Sequence, residues 1–220
     1  MDAPMAGFDP VLLILIGVVV GLAPFAMMMT TSYVKIIVVT TLVRNALGVQ
    51  QVPPTMVMNG LAMILTVFIM APVFHECGEL IEKQNIPERP SVSQVVEIAG
   101  NVTPPLKAFL KRNTDDRVSN MFVATAKRIW PAKLQEKINP DSWFFVIPSF
   151  VITELTKAFQ VGFVLYLAFI AIDLIISNIL LAMGMMMVSP TTISLPFKLL
   201  LFVTLDGWLK ITQGLLLSYH

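Results

Sequence analysis

Charge is what this sequence has least of. Charged residues make up 13% of its 220 positions, about half the ~25% usual in a globular domain. Apolar residues make up 56%, and mean hydropathy is +0.78. A soluble globule cannot spare so little polar surface, so the composition points to an integral membrane protein. Cysteine is nearly absent. Cys77 stands alone, which excludes an intrachain disulfide and any CxxC redox or zinc motif. The only histidines are His75 and His220. A net charge of +1 gives no basic surface for nucleic acid. No GxSxG, HExxH, GxxxxGK[ST] or GxGxxG occurs, so the common hydrolase, zinc-peptidase and nucleotide-binding signatures are missing. No enzyme activity, cofactor or catalytic residue is expected. Alternating apolar and polar residues are also missing, and an all-α fold follows.

The few charges are concentrated. Residues 75–141 hold 10 Lys/Arg and 9 Asp/Glu, and the rest of the chain holds only 5 of each. Three regions result: residues 1–74, with apolar runs at 11–29 and 55–74; a polar, mainly helical segment at 75–142; and an apolar hairpin region at 143–220. Each run is about long enough to cross a ~30 Å hydrocarbon core at 1.5 Å per residue. Further runs span 161–188 and 193–217. The run at 11–29 lacks a basic leader and a clear cleavage site, so it reads as an uncleaved helix with a kink near Gly21 and Pro24. Lys35 and Arg44 follow a tail without basic residues. The positive-inside rule then places the N-terminus, and after four passes the polar segment, outside. Arg44, Asn45, Gln50 and Gln51 read as turn residues at the membrane edge.

Within the polar segment, Thr103 before Pro104-Pro105 predicts a helix start. Leu106, Phe109 and Leu110 share a face. Asp115-Asp116 predicts a second helix, with Val118, Met121, Phe122 and Ile129 on one side and Pro131 ending it. His75, Glu76, Cys77 and Glu79 read as a segment turning polar at a membrane exit, with no metal site. Asn101-Val102-Thr103 matches a glycosylation sequon of a kind common by chance.

Four features stand out. Asp173 and Lys198 each interrupt a long apolar run, where an unpaired charge is expensive. Gly184 and Pro190 predict a hairpin turn between them. That turn puts both at similar depth, roughly 21 and 16 Å from its tip. They could neutralise each other within one hairpin or between copies, as a structural pair or as a gating or proton-relay pair. Met185, Met186 and Met187 occupy the predicted tip. They are either ordinary core filling or a deformable constriction of unbranched thioethers. Met27, Met28 and Met29 read as packing. Glu154 and Lys157 are spaced to pair on a helix face or to meet another subunit, and Asp206 and Lys210 are likewise spaced to pair.

Three stretches carry a family resemblance: TTSYVKIIVVTTLVRNALGVQQVPPTMVMNGLAMILTVFIMAPV, IPSFVITELTKAFQVGF and IDLIISNILLAMGMMMVSPTTISLPFKLLLFVTLDGW. The chain resembles the SctR/FliP family, the R-type core component of type III secretion and flagellar export apparatuses. The uncleaved first helix looks more like the virulence branch than the flagellar one. The resemblance implies a non-enzymatic subunit of the bacterial inner membrane, with its polar segment periplasmic. It implies five copies joined with S- and T-type subunits in a closed helical cone. That cone forms the portal through which unfolded secreted proteins cross. It implies that the apolar hairpins are covered by other subunits as well as by lipid. It gives Met185, Met186 and Met187 the role of a methionine gasket, Asp173 and Lys198 that of an intersubunit charge pair, and Glu154 that of a subunit contact. The competing function is a small-solute or ion channel with Asp173 and Lys198 as a relay. Four segments without an inverted repeat make that a poor fit.

Overall fold

The computed structural model describes residues 10–49, 52–84 and 91–219. Gln50, Gln51 and His220 lie outside the described residues. Among those described there are ten helices and no strand, as expected of an all-α chain. They are α1 (Pro10–Thr30), α2 (Tyr33–Leu47), α3 (Thr55–Glu82), α4 (Val92–Val102), α5 (Pro104–Asn113), α6 (Asp116–Ile129), α7 (Ala132–Gln135), α8 (Trp143–Ala182), α9 (Pro190–Thr204) and α10 (Gly207–Leu217).

α3 and α8 are each long and apolar enough to cross a membrane. Among the described residues, residues 17–30 joined with α2, and α9 joined with α10, would each make one further, broken span. The run at 193–217 is the clearest case. It divides at Asp206, which adopts a left-handed conformation (φ 51°), and α9 and α10 meet at a 59° bend. The predicted Asp206–Lys210 ion pair does not form. The break puts Asp206 in the N-cap position of α10, where its main-chain oxygen, not its carboxylate, accepts from the Lys210 amide.

The chain divides into two compact units, Met1–Thr31 with Met70–Thr153, and Ser32–Ile69 with Glu154–His220. The first contains the polar segment, which is helical as its caps predict. Ser91 and Gln94 form a reciprocal capping box at α4. Asp115 caps α6 by accepting the Arg117 amide at 2.8 Å. Thr103 precedes α5 with Pro104 in the first turn, yet its hydroxyl donates back to Ala99 O and does not cap. Phe109 and Leu110 are buried, and Phe109 packs on Phe150 with ring centroids 6.0 Å apart. Lys111 meets Asp141 at 2.7 Å and holds its carboxyl below the ordinary range. The apolar side of α6 is less covered: Met121 and Ile129 stay exposed. So do Met27, Met28 and Met29 on α1, which therefore do not fill this chain's core.

The second unit is built around α2. Ile36, Val39, Val43, Ala46 and Leu47 are buried on one face, at the three- and four-residue spacing of a helix stripe. They pack with Ala62, Leu65, Ala158, Phe169, Phe202 and Leu215. α8 approaches α2 through Gly162. A Cβ there would clash with the Leu42 side chain, lying 3.1 Å from its Cβ as well as against Cδ1. Glycine is what lets these two helices close.

Candidate functional site

The candidate residues gather at three places in the second unit. The first is the hairpin tip. α8 ends in a Schellman arrangement: Gly184 takes φ +73° and its amide bonds Leu181 O at 3.0 Å, while the Met185 amide bonds Leu180 O at 3.0 Å. Only glycine adopts that backbone without strain. α9 restarts at Pro190, whose fixed φ suits a first helical position. Between them Met185, Met186 and Met187 are 43%, 82% and 100% exposed. They pack against nothing in their own chain to the extent a core residue would. Three flexible thioethers are instead held outward by a rigid helix end.

The second place is Asp173 on α8. Lys198, on α9, donates to its Oδ2 at 2.6 Å, and Ser194 donates to its Oδ1 at 2.5 Å. Lys198 also donates to Ala46 O at 3.3 Å. That carbonyl belongs to the last turn of α2, where helix carbonyls lack partners and carry partial negative charge. So Lys198 neutralises a carboxylate and a helix C-terminus together. Within one chain the two charges close across the predicted hairpin. The Lys198 side chain is 7% exposed and that of Asp173 30%, which leaves the carboxylate accessible from outside the unit. Ser194, turned toward Asp173 from one helix turn before Lys198, had no distinguishing signal in the sequence.

The third place centres on Glu154. Its carboxylate is fully buried and meets Lys35 of α2 at 3.1 Å. Tyr219 donates its hydroxyl to the same carboxylate oxygen. Lys157 approaches the other oxygen at 3.7 Å, with 41% of its side chain exposed. Lys35 Nζ lies 3.9 Å from the Tyr219 ring centroid, a cation–π contact, and donates to Ser218 Oγ at 3.3 Å. The spacing of Glu154 and Lys157 indicated their mutual approach. It gave no hint of Lys35 or Tyr219. Lys35 did carry a signal, being a charge inside an apolar run. Tyr219 carried none, because only the fold brings the end of the chain to α8.

The Glu154 and Asp173 clusters stand about 28 Å apart along α8 at 1.5 Å per residue. The apolar core lies between them. His75 and Glu79, both exposed side chains of α3, approach to 3.5 Å. Among the described residues, no three His, Cys, Asp or Glu side chains converge as a metal site. The arrangement offers two ionic clamps and an exposed, deformable apolar tip.

Known proteins match almost the whole chain. It is 47% identical over 211 residues to "Yop proteins translocation protein R" of Yersinia pestis, covering 96% of this chain and 97% of that one. It is 45% identical over 209 residues to "Hypersensitivity response secretion protein HrcR" of Ralstonia nicotianae, covering 94% and 96%. It is 45% identical over 200 residues to "Virulence protein YscR" of Salmonella typhimurium, covering 91% and 92%. The profile described as "FliP family" matches residues 15–215, a span that takes in the whole methionine tip and, apart from Ser218 and Tyr219, both ionic clamps, and the chain belongs to that family.

Proposed function

We propose that this chain is a core subunit of the type III secretion export apparatus in the bacterial inner membrane. There it joins further copies of itself and S- and T-type subunits to form the portal for unfolded secreted proteins. The observation that carries this reading is the near end-to-end identity with secretion and translocation proteins of several bacteria. The exposed methionine tip agrees with it. Three consecutive exposed methionines make an apolar patch of the kind that lipid or another subunit covers. Met185, Met186 and Met187, brought together from several copies, form a seal that excludes ions yet parts for a polypeptide. The polar segment, residues 75–142, lies on the periplasmic side, between apolar regions 1–74 and 143–220. Asp173, 30% exposed within its own clamp, presents the remaining face of its carboxylate to a neighbouring copy. Lys157 is the member of the Glu154 cluster that reaches another subunit, while Glu154 itself orders Lys35, Lys157 and Tyr219. The chain acts as structure and gate and carries out no chemical step. The small-solute channel reading finds no support in the relatives.

Co-purification from membranes tests the assembly. Expressed with S- and T-type subunits, the chain should elute in mild detergent as one complex with about five copies of itself, read by native mass measurement. A monomer with and without partners would overturn the proposal.

A further inference from the structure

Asp206 and Lys210 carry opposite charges one helix turn apart, and both are exposed. Among the described residues neither is in an ion pair. Each lies in a different groove of the second unit. Asp206 breaks the apolar run in a left-handed conformation, φ 51°, and its carboxylate caps no amide of α10. It lines a groove of about 550 Å³ with Leu47 at the end of α2, Phe202 and Val203 of α9, and Leu209 of α10. Lys210 lines another, of about 660 Å³, with Val161 and Val164 of α8 and Ile211 of α10. The two grooves share no residue among those described. Lys35 and Lys157 also line the second groove, but both are engaged with Glu154. Both grooves have uncovered apolar walls: Val203 and Leu209 are exposed in the first, Val161 and Val164 in the second.

We propose that the two grooves are the two halves of one contact between adjacent copies, in which Asp206 of one copy pairs with Lys210 of the next. Charge complementarity selects the occupant. A second copy brings the ammonium group that the first groove lacks and the carboxylate that Lys210 lacks, in equal number at every contact. The same contact covers the apolar walls, and excluding water from the pair strengthens it. The separation of the grooves sets the symmetry. A two-fold dimer needs both groups on one shared, self-complementary face, whereas two different faces meet head to tail, and that contact repeats until the rotation closes a ring. Lys157, proposed above to reach another subunit, lies in the Lys210 groove, so the two lysines serve one face. The inference rests on the proposed assembly of several copies and names the faces by which they meet.

The test uses the full chain, expressed with S- and T-type subunits and purified in mild detergent. A carbodiimide joins a carboxylate to an ammonium group as an amide, with loss of water and no added spacer, so only paired groups react. Denaturing gels then separate links within one copy, which leave monomers, from links between copies, which leave covalent multimers. Peptide mapping locates the link. The wild-type chain should give multimers joined through Asp206 and Lys210. Asp206→Asn, which keeps a residue that tolerates the left-handed backbone, and Lys210→Gln should each lose that link. Co-expressed, these two variants should regain it as dimers and nothing larger, because each copy then carries one reactive partner. Lys210→Asp sets like charges against each other and should lower complex yield about fivefold, and adding Asp206→Asn should restore most of the loss. An intact complex with no 206–210 link, with that link confined to single copies, or with no dimer from the co-expressed variants overturns this inference and leaves the assembly reading standing. So does a yield unchanged in Lys210→Asp. Recovery of monomers alone overturns both.

Discussion

Lys35 Nζ stands 3.1 Å from the Glu154 carboxylate with both side chains shut off from solvent, and Tyr219 closes the pair from the end of the chain. This cluster ties α2, α8 and the segment after α10 together by charge. A pair in such a place is stabilising only as long as both members stay. Lys35→Ala should destabilise the chain by about 3–5 kcal/mol, because Glu154 is left charged and buried. Lys35→Met with Glu154→Leu should be milder, since two apolar side chains need no partner, with a remaining cost of about 1–3 kcal/mol for the buried Tyr219 hydroxyl that loses its carboxylate acceptor. Tryptophan fluorescence during thermal unfolding in detergent reads the difference. Equal losses in the single and double variants would mean that neither charge depends on the other.

Close helix contact gives the next expectation. Gly162 on α8 leaves no room for a Cβ beside Leu42. Gly162→Ala should therefore destabilise by about 1–3 kcal/mol through overpacking, although alanine is the better helix former. Gly60→Ala on α3 is the control: nothing lies within 4 Å of the added Cβ, so it should be neutral or slightly stabilising. If both substitutions stabilise equally, α2 and α8 do not pack as tightly as this contact requires.

Much of this was legible in the sequence, for a stated reason. Apolar runs, proline and glycine act locally, so the helices, the 184–190 hairpin, the Asp115 cap and the helix start at Pro104 follow from short windows, although Thr103 does not cap as its position suggested. The Asp173–Lys198 clamp was legible as well, because a hairpin makes a long-range contact out of two nearby segments. Contacts without such a link were not legible. Lys35 and Tyr219 reach Glu154 only because α2 and α10 both pack on α8. The Asp206 break did carry a signal, the Asp206-Gly207 dipeptide favoured in turns, but the long apolar run on both sides read as one continuous helix. The first methionine run misled for another reason. A sequence does not distinguish burial in one's own chain from surface left for lipid or another subunit.

The methionine tip yields a functional expectation. Replacing Met185, Met186 and Met187 by alanine removes bulk from side chains that touch little of their own chain, so folding and complex yield should be unchanged. If the three residues seal a pore, ion leak across the membrane should rise. Membrane potential, followed with a fluorescent dye in cells expressing the complex, gives the readout. Unchanged permeability with normal secretion would make the methionines a covering for the hairpin and nothing more.

The Asp173–Lys198 clamp is the most discriminating target. Removing either member leaves the other charge without its partner, at a cost of about 3–5 kcal/mol for a buried pair and less to the extent that Asp173 is exposed. Asp173→Ala and Lys198→Ala should each lower complex yield and abolish secretion. The charge exchange, Asp173→Lys with Lys198→Asp, restores opposite signs across α8 and α9 and should recover part of both. It should not recover all, because Lys198 also donates to Ala46 O at the end of α2. An aspartate there would face that carbonyl and the negative end of the helix. Ser194 would also lose the carboxylate it donates to. Lys198→Arg separates the two duties: it keeps the positive charge near Ala46 while changing the geometry toward Asp173, and should fall between wild type and the exchange. Complex yield and secreted substrate, measured side by side in all these strains, decide the matter. An exchange no better than the worse single variant would rule out direct pairing as the main function of the two residues and leave each with a separate role.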